Sequence, residues 1–171
     1  MCRPLERIWA PWRIGYVTGD RPDGCPFCRK MQSDDDEENL ILHRGQHCGV
    51  LLNTYPYNSG HLMVVPAAHV GEIGDLAPEA HAELWDLTQL AIRTLQRTLC
   101  PQGLNVGMNL GQAAGAGISD HLHMHIVPRW NGDTNYMTSV AETRVVPQSL
   151  QDSYAQLLPV IRELATDLDG R

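Results

Sequence analysis

The sequence predicts an α+β fold, an antiparallel sheet with one long helix and a C-terminal helix. One observation is the period-two alternation of histidine and apolar residues over His121–Pro128, which is typical of a half-buried strand. The other is the helical spacing of leucines over Pro78–Leu99, with Pro78 in the first turn and Pro101 just after the end. Strands with helices added in this way belong to the α+β class.

The remaining elements follow in chain order. Residues 1–24 are expected to form an ordered N-terminal arm. Two apolar runs within His47–Pro66 flank a turn-rich stretch and predict an antiparallel strand pair. A strand near Asn105–Asn109 precedes the histidine strand. A final helix is expected from about Ser149 to Leu168, and Pro159 is a candidate interruption of it.

Length and charge limit the classes of protein that the chain can belong to. Its 171 residues are enough for one domain with a sizeable core. We expect a single domain over 1–171, with the arm at 1–24, the core at 25–130 and a C-terminal extension at 131–171. A net charge of −7 argues against polymeric nucleic acid as a partner. Histidines, backbone N–H groups and helix ends can still hold a small polyanion.

The cysteines and the N-terminus bear on the compartment. Five cysteines at irregular spacing fit a reducing compartment better than a disulfide framework. The first residues are charged and aromatic and lack the apolar core of a signal peptide, and no stretch approaches a transmembrane span. We therefore expect a cytoplasmic protein without a membrane partner.

The histidine strand is the most informative segment for function. Side chains on a strand alternate between faces, so His121, His123 and His125 are expected to share one face, with apolar residues on the other. Residues on the same face are about 6.5–7 Å apart. Such a row can follow the phosphates of a nucleotide, or be divided between a metal and a substrate.

The CxxC motif, Cys25-Pro26-Phe27-Cys28, predicts a zinc half-site, a redox pair or a chance occurrence. Zinc prefers four N or S ligands, and His69 and His121 are candidates to complete the set. A redox motif would be expected after a strand in a βαβ unit, which the pattern lacks. We favour a structural zinc site, with unmetallated thiols as the alternative.

The loop Gly111–Gly117 leads into the histidine strand. Its three glycines permit positive φ and leave backbone N–H groups unshielded, as an anion-binding loop requires. Small residues are also common in ordinary connections. Because the loop adjoins a row of imidazoles, we expect it to help bind phosphate.

The chain resembles the histidine triad (HIT) superfamily, whose signature is His-x-His-x-His-x-x with apolar x. His121–Val127 matches this signature completely. Further segments look most like the bacterial diadenosine tetraphosphate phosphorylase branch, which is related to the fragile histidine triad hydrolases. They are Trp9–Arg13, Asn53–His61 with Val64–Pro66, Asn105–Gly111, and Pro128–Trp130 with Gly132 and Asp133.

The resemblance implies a homodimer whose sheet extends across both subunits. It also implies cleavage of dinucleoside polyphosphates at the α-phosphate through a nucleotidyl-histidine intermediate, without an organic cofactor. His123 is then the nucleophile, and His125 is its partner on the phosphate oxygens. The implied substrate-binding residues are Asn53 on the ribose, and Asn109, Gly115, Ala116 and Gly117 at the phosphates. The implied ligands of a structural zinc are Cys25, Cys28, His69 and His121.

One departure from the resemblance bears on the acceptor. The fragile histidine triad hydrolases carry a glutamine four residues before the first histidine, where this chain has Gly117. The departure favours a phosphorylase, with inorganic phosphate as candidate co-substrate, over a hydrolase. A phosphoramidase-type hydrolase ranks lower because Ser119 lies two residues before the triad, not three. A zinc-stabilised nucleotide-binding protein with a signalling role is the alternative from another class. The other histidines, including His61, are expected to be structural or solvated.

Overall fold

A computed structural model of the protein describes residues 24–133 and 148–169. Most of the predicted N-terminal arm and much of the predicted C-terminal extension lie outside these residues, so the proposed domain boundaries stay a prediction. The helices are α1 (Pro26–Gln32), α2 (Asp36–Asn39), α3 (Pro78–Leu99) and α4 (Leu150–Asp169). The strands are β1 (Ile41–Arg44), β2 (Cys48–Leu52), β3 (Leu62–Pro66), β4 (Gly103–Gly107) and β5 (Met124–Arg129).

The strands form one antiparallel sheet in the order β1-β2-β3-β5-β4. The predicted pair is β2 and β3, joined in register from Cys48 opposite Pro66 to Leu52 opposite Leu62. Their connection turns at Gly60, which has a φ of +74° and is so close to the Leu99 side chain that a Cβ would collide with it. The prediction of an antiparallel α+β fold is confirmed.

The predicted long helix and the predicted C-terminal helix are both present, and they cover one face of the sheet. The leucines of α3 point into the main core, with Leu84, Leu90 and Leu95 at most 1% exposed. Helix α4 begins one residue after the predicted start, where the hydroxyl of Ser149 accepts a hydrogen bond from Asp152 N–H. Pro159 does not end α4; it lies inside the helix on its exposed side.

The two faces of the sheet have different roles. Alternate strand residues such as Val50, Val64 and Met124 join the main core under α3 and α4. The opposite face carries a smaller apolar cluster, which α1 covers with one buried aromatic side chain. This cluster comprises Phe27, Ile41, Leu51, Met63 and Val65. His125 belongs to the same face because it pairs with Met63 in the β3–β5 register.

Two predicted strand boundaries are wrong. The structure places β4 at Gly103–Gly107 instead of near Asn105–Asn109, and β5 begins at Met124 instead of His121. The N–H of Leu122 donates a hydrogen bond of 2.7 Å to the carbonyl of Val70, in the loop after β3. This part of the histidine segment is therefore hydrogen-bonded to a loop and not to a neighbouring strand. None of the helices in the two described parts of the chain is long and apolar enough to span a bilayer.

Candidate active site and metal centre

Three buried histidines occupy the α1 side of the sheet. His121, His123 and His125 are 1%, 7% and 9% exposed, while Leu122, Met124 and Ile126 enter the main core. The ring centroids of His123 and His125 are 4.8 Å apart. The alternation predicted from the sequence therefore holds, although the first two histidines precede β5.

The ring of His123 is fixed by the main chain beside it. Its Nδ1 donates to the carbonyl oxygen of His121 over 2.9 Å, because a carbonyl can only accept. Burial lowers the pKa of His123, so the ring is neutral at pH 7. In a neutral imidazole protonated at Nδ1, the other nitrogen, Nε2, carries a lone pair.

The ring of His125 carries its proton on the opposite nitrogen from that of His123. The backbone N–H of Tyr57 donates to Nδ1 of His61 over 3.1 Å, so a neutral His61 carries its proton on Nε2. That Nε2 lies 3.0 Å from Nδ1 of His125, which accepts the hydrogen bond. Burial, and then the neighbouring His123, lowers the pKa of His125 to about 4. Neutral His125 therefore carries its proton on Nε2.

The Nε2 atom of His125 is buried and has no hydrogen-bond partner among the described residues. A buried N–H without a partner is costly, which is why such atoms commonly face a ligand or a water. The two adjacent rings thus differ at Nε2: this atom carries a lone pair in His123 and a proton in His125. This pair can attack an electrophile and bind an oxyanion at the same time.

The loop between β2 and β3 contributes Asn53 and two half-exposed tyrosines. Asn53 accepts from Tyr55 N–H over 2.9 Å and places its amide nitrogen 3.4 Å from Nδ1 of His61. The ring of Tyr57 lies 4.8 Å from that of His61 and 5.9 Å from that of His125. The structure therefore brings predicted residue Asn53 to the same end of the site as His125.

The second loop, Gly111–Gly117, comes shortly after β4, whose last residue, Gly107, is opposite His125. The amide of Asn109 reaches this loop: a Cβ added to Gly115 would lie 4.0 Å from Asn109 Nδ2. The N–H groups of Gly115 and Ala116 donate within the loop, to the carbonyls of Gln112 and Gly111. The expectation that the loop amides are unshielded is therefore wrong for these two residues in this conformation.

Four residues from three segments of the chain form a group that can hold a metal ion. The group comprises Cys25, Cys28, His69 and His121, whose candidate ligand atoms all lie within 4.8 Å of one another. Both cysteines come from the N-terminal end of α1, where the CxxC motif places Pro26 in the first turn. His69 follows β3, and His121 precedes β5. The structure thus brings together all four residues expected as ligands.

The two histidines of this group each make a further contact through Nε2. Nε2 of His121 donates to the carbonyl oxygen of Pro66 over 2.9 Å, and Nε2 of His69 lies 3.5 Å from a carboxylate oxygen of Asp120. The two Nδ1 atoms face each other at 3.2 Å, and each has a cysteine sulfur 3.2–3.3 Å away. Two imidazole nitrogens and two sulfurs that converge in this way are the donor set that a tetrahedral metal ion prefers, so the residues present fit a metal ion.

Sequence reasoning missed two residues of the site. His61 is fully buried against His125, although it was expected to be structural or solvated. Period-two alternation along β3 contained a signal for it, because His61 has the same parity as Met63 and Val65. Phe27 was noted only as part of the CxxC motif, but its ring contacts those of His121 and His123.

Comparisons with known proteins agree with this geometry. The HIT domain family model matches residues 35–132. The chain is 42% identical to the AP-4-A phosphorylase of Mycobacterium tuberculosis, over 87% of this chain and 80% of that protein. A zinc-bound histidine triad family protein from Mycobacterium smegmatis superposes with a TM-score of 0.68 at 26% identity, over 84% of this chain and 97% of its own.

A second solved structure, a hypothetical histidine triad nucleotide-binding protein from Sulfolobus tokodaii, gives a TM-score of 0.61 at 26% identity. It covers 84% of this chain and 93% of its own. The family match spans more than half of the chain, and the match to the M. tuberculosis protein extends over most of it. This chain therefore belongs to the HIT domain family.

Proposed function

We propose that this protein is a dinucleoside polyphosphate phosphorylase that cleaves at the α-phosphate through a nucleotidyl-histidine intermediate. The observation that carries the proposal is the hydrogen bonding of two adjacent rings, which assigns a lone pair to Nε2 of His123 and a proton to Nε2 of His125. The similarity to a named AP-4-A phosphorylase supports diadenosine tetraphosphate as the substrate.

In the first step, Nε2 of His123 attacks the α-phosphorus and a P–N bond forms. The bond from that phosphorus to the bridging oxygen breaks, and ATP leaves with its electron pair. The His125 Nε2–H stabilises the charge on a phosphate oxygen that is not displaced. His123 keeps its Nδ1 proton, and the carbonyl of His121 offsets the positive charge that develops on the ring.

In the second step, an oxygen of inorganic phosphate attacks the same phosphorus. The P–N bond breaks, the electron pair returns to Nε2 of His123, and ADP is released. His123 is thus the nucleophile of the first half-reaction and the leaving group of the second. Gly117, which stands where related hydrolases carry a glutamine, supports phosphate rather than water as the acceptor.

The surroundings of the two histidines support assignments for the substrate groups. We assign the ribose to Asn53, which the β2–β3 loop holds near His61. We assign the polyphosphate to Asn109 and the segment Gly115–Gly117. Since the amides of Ala114, Gly115 and Ala116 donate within the loop, we assign the phosphate-binding donors to the Asn109 side chain and Gly117 in this arrangement.

We assign zinc as the ion of the four-residue group. In a tetrahedral site with Zn–N of about 2.0–2.1 Å and Zn–S of about 2.3 Å, ligand atoms are about 3.4–3.8 Å apart. The Cys25–His121 and Cys28–His69 pairs, at 3.2 and 3.3 Å, approach this spacing. With four protein ligands the ion has no open position, so its role is structural: it joins α1 to the segments around His69 and His121.

We further propose a homodimer that joins through β4. This strand is at the edge of the sheet, and four of its five residues are exposed. Val106 and the nearby Leu110 are 41% and 44% exposed, and the adjoining Leu104 and Met108 only partly pack on the main core. An apolar sheet edge of this kind is a template for pairing with a second chain. The thiol ligands of the metal group support a reducing, cytoplasmic location.

Chromatographic product analysis tests the proposed reaction. The purified protein is incubated with diadenosine tetraphosphate, with and without inorganic phosphate, beside the His123→Ala variant. Phosphate-dependent formation of ADP and ATP supports a phosphorylase. AMP and ATP without phosphate would indicate a hydrolase, and retained turnover in His123→Ala would refute the covalent mechanism.

A further inference from the structure

We propose that Phe27 is a positioning residue that couples the metal group to the ring of His123. The proposal rests on the proposed function, in which His123 is the nucleophile. Phe27 stands between the two cysteines of the CxxC motif and is 5% exposed. Its ring centroid lies 5.0 Å from that of His123 and 5.4 Å from that of His121.

The contacts around His123 show why such a residue is needed. A hydrogen bond from Nδ1 to the His121 carbonyl holds one edge of the ring. The ring of His125 packs against His123 as well, with centroids 4.8 Å apart. These two contacts still leave the ring able to tilt toward α1, which changes the direction of the Nε2 lone pair. The tilted ring of Phe27, at 45° to that of His123, packs against it and limits this tilt.

Phe27 is itself held from two sides. Its backbone belongs to the first turn of α1. Cys25 and Cys28, on either side of it in the sequence, are both in the metal group. Its side chain packs into the smaller apolar cluster with Leu51 and Met63. A metal ion that joins the cysteines to His121 therefore fixes two of the contacts of the His123 ring, namely the one with Phe27 and the one with the carbonyl of His121.

The arrangement separates two consequences of metal binding. The ion stabilises the fold by joining distant segments, as any closed four-ligand site does. Through Phe27 it also sets the orientation of a ring that it does not ligate. Since an error of about 1 Å in the reacting geometry can cost about 10²-fold in rate, removal of the contact should slow the chemistry without weakening substrate binding.

The test compares Phe27→Ala and Phe27→Leu with Ile41→Ala in the zinc-loaded protein. Ile41 belongs to the same apolar cluster but lies on β1, which β2 and β3 separate from β5. We expect both Phe27 variants to retain wild-type zinc stoichiometry and KM, with kcat about 10–100-fold lower. Ile41→Ala should lose stability with a kcat within about threefold of wild type. If Phe27→Ala folds poorly, Phe27→Leu carries the comparison because it keeps most of the apolar volume.

A second readout does not depend on turnover. The ring ¹⁵N signals of His123, assigned by their absence from His123→Asn, should shift or broaden in Phe27→Ala and stay unchanged in Ile41→Ala. Zinc removal from the wild type should cause a similar change, and zinc removal from Phe27→Ala should add little to it. The coupling would be overturned if the effects of zinc removal and of Phe27→Ala on the His123 signals simply added. It would also be overturned if Phe27→Ala raised KM and left kcat unchanged. Failure of the proposed function appears separately, as turnover that survives in His123→Ala.

Discussion

His61 and His125, 64 residues apart in the chain, share a hydrogen bond of 3.0 Å between Nε2 of the first and Nδ1 of the second. The amide of Tyr57 sets the direction of this bond because it can only donate to His61. A main-chain group outside the histidine motif thereby decides which nitrogen of His125 carries the proton. Under the proposed function, that proton is the one offered to the substrate phosphate.

Replacement of His61 by glutamine should lower kcat about 10–100-fold with little change in KM, because the oxyanion donor on His125 is no longer oriented. Steady-state kinetics with diadenosine tetraphosphate and phosphate measure both constants. His81→Gln is the matched control, since His81 is exposed on α3. Equal kcat values in the two variants would show that His61 does not orient the site.

Replacement of His123 by alanine should lower kcat by about 10⁴-fold or more, because loss of a covalent nucleophile removes both half-reactions. Nucleotide affinity, measured by calorimetric titration with a non-hydrolysable analogue, should change by less than about fivefold. Acid quenching with labelled substrate should trap a nucleotidyl-protein in the wild type and none in the variant. A labelled intermediate in His123→Ala would assign the nucleophile to another residue.

The stability of the fold should fall as pH decreases from about 6.5 to about 4. An unfolded histidine titrates near 6.5, whereas the pKa of folded His125 is lowered to about 4 by burial and by His123. Within this window the unfolded chain binds more protons at this position, so acid favours unfolding.

Urea unfolding between pH 7.5 and 4.5 measures this effect, with His125→Gln as the comparison. The titratable side chains beside His125, which are His61, His123 and Tyr57, are present in both proteins. Both proteins also keep all four residues of the metal group. The variant should therefore show a shallower dependence of stability on pH, and parallel curves would contradict the assignment.

Replacement of Cys28 by serine should abolish stoichiometric zinc binding and destabilise the protein. Binding to the folded state alone contributes about 3–4 kcal/mol when free zinc exceeds its Kd by about 100- to 1,000-fold. Metal analysis and thermal unfolding measure the two effects. Cys100→Ser is the control because Cys100 is exposed at the end of α3, outside the group. Zinc retained in Cys28→Ser would reject the proposed ligand set.

Introduction of a charge at Val106 should dissociate the proposed dimer. Lysine at this exposed edge position opposes strand pairing between two chains. Light scattering coupled to gel filtration should give a dimer for the wild type and a monomer for Val106→Lys. Ile73→Lys, at a comparably exposed apolar residue outside β4, should leave the dimer intact. A monomeric wild type would refute the interface.

Most of the fold follows from local patterns in the sequence. The hairpin within His47–Pro66 and helix α3 were predicted because their apolar periodicity reports which side chains are buried. The strand boundaries near His121 and Asn105 were less predictable, since pairing across the sheet decides where a strand begins. His121 satisfies the strand pattern, but its neighbour Leu122 bonds to a loop.

The sequence by itself determined the chemical groups of the site: three histidines on one face, a CxxC motif and a glycine-rich loop, all of which are local in the chain. Only the tertiary structure decided how these groups are connected. The sheet order β1-β2-β3-β5-β4 brings His61 to His125, and the packing of α1 on the sheet brings Phe27 to His123. These contacts join residues far apart in the chain. Local patterns report which faces are apolar, but they do not specify which faces pack together when those faces are buried.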